Sequence, residues 1–263
     1  MLGILFIGDV VGRPGRRSLS TLISKVKRQH PVDLVIANGE NSAGGTGITR
    51  DVAHQLFHAG VDIITSGNHI WDKREALDLL NEEKRIIRPA NYPPNTPGQG
   101  SVVVEIGLPP RRVLIMNLCG RTFMPDMDCP FRTADHILHT EARSGDIIIV
   151  DFHAEATSEK AALGYYLDGR VTAVFGTHTH VQTADERLLP QGTAFISDVG
   201  MVGPLNSILG VEIEPVLHKF LTALPVRFEV AKGPVISNAV YLTVEADSHL
   251  AANPPLRIRE IID

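Results

Sequence analysis

Apolar residues in this chain gather into short continuous runs, and most of the runs end on glycine, asparagine or an ionisable residue. Leu2 to Ile7 is the first, reading as a strand buried on both faces, and it stops at Gly8-Asp9. A loop is expected from Val10 to Gly15. From Arg16 to Lys27, Leu19, Leu22, Ile23 and Val26 fall at helical spacing with basic residues between them, the mark of a helix lying on a sheet. Val32 to Ala37 is the next strand, followed by Asn38-Gly39-Glu40-Asn41, a glycine-rich loop from Ser42 to Gly47 and a helix from Thr49 to His58. Val61 to Thr65 repeats the pattern, ending in Ser66-Gly67-Asn68-His69 before a helix over Asp72 to Asn81. Strands and helices that alternate in this way imply parallel strands joined by right-handed crossovers.

The middle of the chain is more broken. A short strand is expected at Ile86-Ile87, strands at Val102 to Ile106 and Val113 to Asn117, loops at Tyr92 to Gly100 and Cys119 to Pro130, and a helix at Ala134 to Glu141. Ile147 to Phe152 is a buried strand that ends at His153; Ser158 to Leu167 is helical; Val171 to Phe175 is a strand that leads into Gly176-Thr177-His178-Thr179-His180. Beyond it the alternation stops. Strands at Ala194 to Ser197, Val226 to Val230 and Ala239 to Val244, with a helix at Pro215 to Leu224, predict a second, partly antiparallel sheet packed on the first. The fold class is α/β, carried by a single domain over residues 1–263.

Composition excludes several classes. The hydrophobic set is 43% and the charged set 21%, as in ordinary globular proteins. A formal net charge of -5 argues against general nucleic-acid binding. No run approaches the roughly 20 apolar residues of a membrane span, and the N-terminal stretch lacks the basic region and cleavage site of a secretory signal. Cys119 and Cys129 form no metal knuckle and no disulfide framework, so they are expected as free thiols in a reducing cytoplasm.

The residues at the strand ends change this picture. Asp9, Glu40 with Asn41, Asn68 with His69, His153, and His178 with His180 each follow an apolar run. Ligands of open α/β sheets bind beyond the carboxyl ends of the strands, so these segments should meet in one crevice. In an extended backbone alternate residues share a face, which would aim His178 and His180 the same way. Carboxylates, amides and imidazoles in this number suit two metal ions rather than one. A carboxylate touching both ions holds a pair roughly 3.5–4 Å apart and leaves the water between them acidic enough to attack a phosphate ester; Glu40 is the expected bridge. Ligands of oxygen and imidazole without thiolate favour Fe or Mn, with Zn or Co as substitutes. Arg13 and Arg121 stand in loops from which they can steady a phosphate, and His54, His58, His136 and His139 read as surface or packing residues.

Taken together, Gly8-Asp9, Gly39-Glu40-Asn41, Gly67-Asn68-His69, His153 and Gly176-Thr177-His178-Thr179-His180 resemble the ordered motif blocks of the calcineurin-like metallophosphoesterases. The flanks Gly8-Asp9-Val10-Val11-Gly12 and Asn38-Gly39-Glu40-Asn41-Ser42-Ala43-Gly44-Gly45 are similar, more closely, to the bacterial YmdB-like family. The wider superfamily has Asp-x-His in its first block and Gly-Asp in its second, where this chain has Asp9-Val10-Val11 and Gly39-Glu40. The resemblance implies a four-layer αββα sandwich with two packed mixed sheets. It implies one metal held by Asp9, Glu40, Asn41 and His180, a second held by Glu40, Asn68, His153 and His178, and His69 as the general acid. It also implies hydrolysis of a phosphodiester, 2′,3′-cyclic nucleotides above all, with 3′,5′-cyclic nucleotides and RNA ends as further substrates. The alternatives are a phosphomonoesterase on the same site, and a regulatory protein that binds a phosphate ligand with slow turnover. A homo-oligomer is expected, with no membrane partner.

Overall fold

The computed structural model describes residues 1–245 and 248–263. The chain opens with β1 (Leu2–Ile7), β2 (Asp9–Val10), α1 (Gly12–Gln29), β3 (Leu34–Asn38), α2 (Arg50–His58), β4 (Ile63–Thr65) and α3 (Ala76–Glu82). It continues through β5 (Ser101–Ile106), β6 (Arg111–Cys119), α4 (Pro130–Thr140), β7 (Ile147–His153), α5 (Thr157–Tyr166) and β8 (Ala173–Thr177). The last elements are β9 (Arg187–Leu188), β10 (Ala194–Ile196), β11 (Met201–Pro204), α6 (Ile213–Thr222), β12 (Val235–Val244) and β13 (Leu256–Ile262).

Alternation along the strands sorts these elements into four layers. In β1, Leu5 and Ile7 pack with Leu19, Leu22 and Val26 of α1 and Leu56 of α2, whereas Ile4 and Phe6 face the other sheet. In β7, Ile147 and Ile149 join Ile4 and Phe6 in that inter-sheet core, and Ile148, Val150 and Phe152 turn outward to Ala134 and Ile137 of α4 and Leu163 of α5. The rings of Phe6 and Phe175 meet across the layers at 5.2 Å. This is the αββα sandwich expected from the sequence, and each fully buried aromatic or aliphatic side chain in it adds about 1.5–3 kcal/mol.

The assignment of strands to sheets differs from the expectation. The first sheet runs β2-β11-β12-β1-β3-β4 with β13 on β12, and the second runs β5-β6-β7-β8-β10-β9. The second sheet therefore begins at Ser101 rather than after the histidine pair, and the C-terminal strands return to the first sheet, β12 pairing antiparallel with β1. Residues 226–230 form no strand; Val230 makes only an isolated bridge to Val211. Strand β13, with exposed positions alternating along it, was not expected, because an edge strand carries too few apolar residues to stand out. Helix α1 starts at Gly12, inside the expected loop, since Pro14 falls in its first turn, where the missing N–H is no loss. Helix α3 starts only at Ala76, because His69 to Glu75 form turns. Among the described residues, no helix is long and apolar enough to cross a membrane.

The parallel strands β1, β3 and β4 of one sheet and β6, β7, β8 and β10 of the other point their carboxyl ends at a shared edge. There the apolar filling between the sheets gives way to a polar seam. Asn38 Nδ2 donates to Asp151 Oδ2 at 3.0 Å, Thr65 Oγ1 donates to the same oxygen, and the Ser66 amide donates to Asn117 Oδ1 at 3.0 Å. Asn38, Thr65, Asn117 and Asp151 are all fully buried; such groups persist in an interior only when hydrogen-bonded to one another.

Candidate metal centre

On that seam stand the residues that end the strands. Glu40, one residue past Gly39 at the end of β3, is buried; its Oε1 lies 2.9 Å from His153 Nε2, and its Oε2 accepts the His69 amide at 3.0 Å. Asn68 Oδ1 lies 3.1 Å from His153 Nε2, and His178 Nδ1 lies 3.0 Å from the same atom. Glu40, His153 and His178 thus offer three ligand atoms within 4.8 Å of one another. Beside them, His180 Nε2 lies 3.3 Å from Asn41 Oδ1. Asp9 connects the two groups: its Oδ2 accepts the His178 amide at 3.1 Å, and its Oδ1 is 3.8 Å from His153 Nδ1. All seven residues expected as ligands are therefore brought to one place.

The backbone that delivers the two histidines is not the extended one expected. Strand β8 ends at Thr177, and His178 and His180 have φ of 101° and 65°, in the left-handed region that side chains enter at a cost of order 1–3 kcal/mol and that clusters at functional sites. The turn sends His178 toward His153 and His180 toward Asn41, one to each group. Gly44, Gly45 and Gly47, with φ of 77°, 106° and 73°, fold the loop after Glu40 back on itself. Asn41 Nδ2 then donates to Gly45 O at 3.0 Å, and the amide oxygen is left facing His180.

Each of the three imidazoles has one nitrogen occupied from outside. His153 Nδ1 donates to Thr177 Oγ1 at 2.9 Å, and that hydroxyl donates to Asp151 Oδ1 at 2.7 Å. His180 Nδ1 donates to the Leu209 carbonyl at 3.0 Å, and His178 Nε2 lies 3.1 Å from Glu155 Oε2. The remaining nitrogens, Nε2 of His153 and His180 and Nδ1 of His178, turn inward with their lone pairs, the arrangement in which outer partners fix the tautomer of metal-binding histidines.

The electrostatics have the same sense. Asp9 and Glu40 are both buried, and among the described residues neither is paired with lysine or arginine. Asp9 Oδ1 has no hydrogen-bond partner. Burial pushes the Asp9 carboxyl up. Burial also opposes ionisation of Glu40, but the charge and hydrogen bond of His153 outweigh it and bring the carboxyl down to about 2. His153 rises to about 9, its burial overcome by the charge of Glu40, while burial and the neighbouring charge of His153 take His178 down to about 3. An orphaned carboxylate oxygen beside convergent carboxylate and ring-nitrogen atoms fits a cation.

His69 stands apart from the ligand atoms. Its Nδ1 is 3.0 Å from Asp72 Oδ2, and the ring is partly exposed. Asp72 was not singled out in the sequence, although its spacing of three from His69 was the available signal. Asp151, Thr177, Thr65 and Asn38 were also missed; the signal was an aspartate inside the apolar run of β7, costly unless bonded. A third omission is the buried pair Lys160–Asp198, 2.7 Å apart, whose Asp198 Oδ2 accepts the Thr179 amide at 3.0 Å between the two histidines. Asp198 follows β10 as the other site residues follow their strands. Arg121 is held through its backbone amide by Glu159 on the surface, and Arg13 stands exposed on the first turn of α1. His54, His58, His136 and His139 lie on α2 and α4, away from the centre. Both cysteines are free, and burial pushes the Cys119 thiol up.

Comparison with known proteins places this geometry in a group. A 2′,3′-cyclic-nucleotide 2′-phosphodiesterase of Bacillus subtilis (strain 168) is 49% identical over 92% of this chain and 91% of its own length. A crystal structure of a novel phosphatase from Mycoplasma pneumoniae is similar with a TM-score of 0.93 at 36% identity, covering 100% of this chain and 94% of that one. A hypothetical protein from Thermus thermophilus has a TM-score of 0.90 at 44% identity over 98% and 100% of the two chains. The family described as YmdB-like protein matches residues 5–254, and the chain, with its strand-end blocks intact, belongs to that family.

Proposed function

We propose that the chain is a dinuclear metal-dependent phosphodiesterase acting on small phosphodiesters, 2′,3′-cyclic nucleotides foremost and 3′,5′-cyclic nucleotides after them. The observation that carries this reading is the buried convergence of Glu40, His153 and His178 with the orphaned Asp9 beside them. The name of the Bacillus subtilis relative supports the substrate class. Asp9, Asn41 and His180 would hold one cation and Asn68, His153 and His178 the other, with Glu40 serving both. Two cations, Fe or Mn, held by these residues would supply positive charge to a phosphoryl group and a water acidic enough to attack phosphorus.

The chain's own residues do the rest. His69, with Nδ1 held by Asp72, presents Nε2 outward and gives its proton to the ester oxygen as the P–O bond breaks. For a 2′,3′-cyclic nucleotide, the oxygen of a water bonds to phosphorus as the bond to the 2′ oxygen breaks, the 2′ oxygen leaves with the proton of His69, a 3′-monophosphate remains, and a proton of the water returns through solvent to His69. The Asp151–Thr177 chain keeps His153 in one tautomer throughout. A single domain accounts for the site, since both sheets contribute to it. A homo-oligomer belongs to the same reading: α6 leaves Phe220 and Leu221 83% and 84% exposed, an apolar face that a second copy would cover.

The test is elemental analysis of protein purified without chelator, with assays of 2′,3′-cAMP, 3′,5′-cAMP and bis-p-nitrophenyl phosphate in Mn and in EDTA. About two metals per chain with EDTA-sensitive diester cleavage is the expected result. No metal after reconstitution with Mn or Fe would end the dinuclear reading. The Mycoplasma pneumoniae relative is described as a phosphatase, which favours a second reading as a monoesterase; p-nitrophenyl phosphate cleaved faster than its diester would select it.

A further inference from the structure

Between α1 and the segment after α6 the protein has a cavity of about 730 Å³ that the proposed reaction does not use. One wall is α1, which presents Arg13 and Arg17 one helical turn apart. The opposite wall is the segment after α6, which brings Arg227 and Lys232. Two carboxylates, Glu229 on the same segment and Asp263, share the lining with these four cations. Among the described residues none of the four makes a side-chain hydrogen bond or ion pair, and all are exposed. Their charges gather where α1 has no acidic residue in its first turn. The positive end of a helix is where arginines are least favoured, so the arrangement costs stability unless an anion shares it. Burial and the adjacent charges of Arg13 and Arg17 already depress Arg16.

The loop that carries Asn41 links the centre to the cavity. Gly44, in the loop that orients Asn41, lines it. The Gly12 amide at the start of α1 donates to the Asn41 carbonyl at 3.0 Å. Val230, another lining residue, closes against Gly12 and Gly45, leaving no room for a side chain at Gly12. An anion in the cavity and a phosphoryl group at the centre would lie on either side of one loop. The cavity is wider than a lone phosphate requires, and its cations are spread over two walls. That spacing suits successive phosphates of a chain.

Resting on the phosphodiesterase reading, we propose that the cavity is a subsite for the internal phosphates of a single-stranded oligoribonucleotide whose 2′,3′-cyclic phosphate end occupies the metal centre. The substrate class is then a short RNA with a cyclic terminus in preference to the free mononucleotide. Lysine and arginine binding phosphate in this way adds affinity without base recognition and makes it salt-dependent. The net charge of -5 confines such binding to this patch.

The experiment compares kcat/KM of the Mn-loaded full chain on a five-nucleotide RNA ending in 2′,3′-cyclic phosphate and on 2′,3′-cAMP, at low and high salt. Expected is a preference of tenfold or more for the oligomer at low salt that shrinks as salt rises, and a fall of at least fivefold in that ratio in Arg227→Ala/Lys232→Ala. Equal kcat/KM on both substrates, or a ratio untouched by the double substitution, overturns the proposal. Fluorescence anisotropy with a labelled five-nucleotide RNA carrying a 3′ phosphate, in EDTA, separates this from failure of the phosphodiesterase reading. Binding weakened fivefold or more by the double substitution supports the subsite even in a protein that hydrolyses neither substrate. Equal binding by both proteins, or competition by inorganic phosphate as strong as by RNA, counts against it.

Discussion

His69 and His153 show how the neighbours of an imidazole decide its work. His153 is buried, tied to Thr177 on one nitrogen and to Glu40 on the other; His69 is partly exposed and tied only to Asp72. The first is placed to hold a cation and the second to move a proton. His69→Ala is therefore expected to lower turnover about 10²-fold or more with both metals retained, as read by steady-state kinetics beside elemental analysis; unchanged turnover would remove His69 from the reaction. The ligand positions were legible because an ionisable residue closing an apolar run is conspicuous. Asp72, Thr177 and Lys160 were not, since a polar residue in a helix or turn reads as surface until the fold shows what it touches.

At the scale of elements, the loops depend on close approaches. A Cβ at Gly67, in the turn after β4, would lie 2.2 Å from His153 Cδ2 and 2.4 Å from Glu40 Oε2, and neither side chain has room to retreat. Gly67→Ala should weaken Mn binding by about 10–100-fold, the range found for changes around metal ligands, measured by calorimetric titration; binding equal to the parent would mean that the site is looser than this geometry. The turn carrying His178 and His180 is braced differently, by the buried Lys160–Asp198 pair between α5 and the end of β10. Lys160→Met leaves Asp198 charged and alone, and a loss of about 3–5 kcal/mol in urea unfolding is expected; a loss under about 1 kcal/mol would show the pair to be dispensable. Most element types were readable from periodicity, the strand expected at residues 226–230 excepted. Sheet membership was not, because the return of β12 to β1 is a long-range pairing with no local signature, and β13 alternates too weakly to be seen beside it.

For the molecule as a whole, the centre is a junction of two sheets, with Asp9, Glu40 and Asn68 from one and His153, His178 and His180 from the other. A cation bound there favours only the folded arrangement. At a free concentration one hundred times its dissociation constant it should add about 2.7 kcal/mol, which for a chain of this size raises the melting temperature by several degrees. Thermal denaturation with Mn and with EDTA checks this, and coincident midpoints would mean that no cation holds the sheets together.

Strand β1 lies between β3, which follows it at once, and β12, which comes at residues 235–244. During synthesis, one edge of β1 stays without its partner until β12 has left the ribosome. That bare edge, a row of unpaired N–H and C=O groups on a strand of apolar side chains, is open to other chains until β12 arrives. Yield of active protein should accordingly depend on how fast the segment between β1 and β12 is made and on what shields β1 meanwhile, more than on the stability of the finished sandwich.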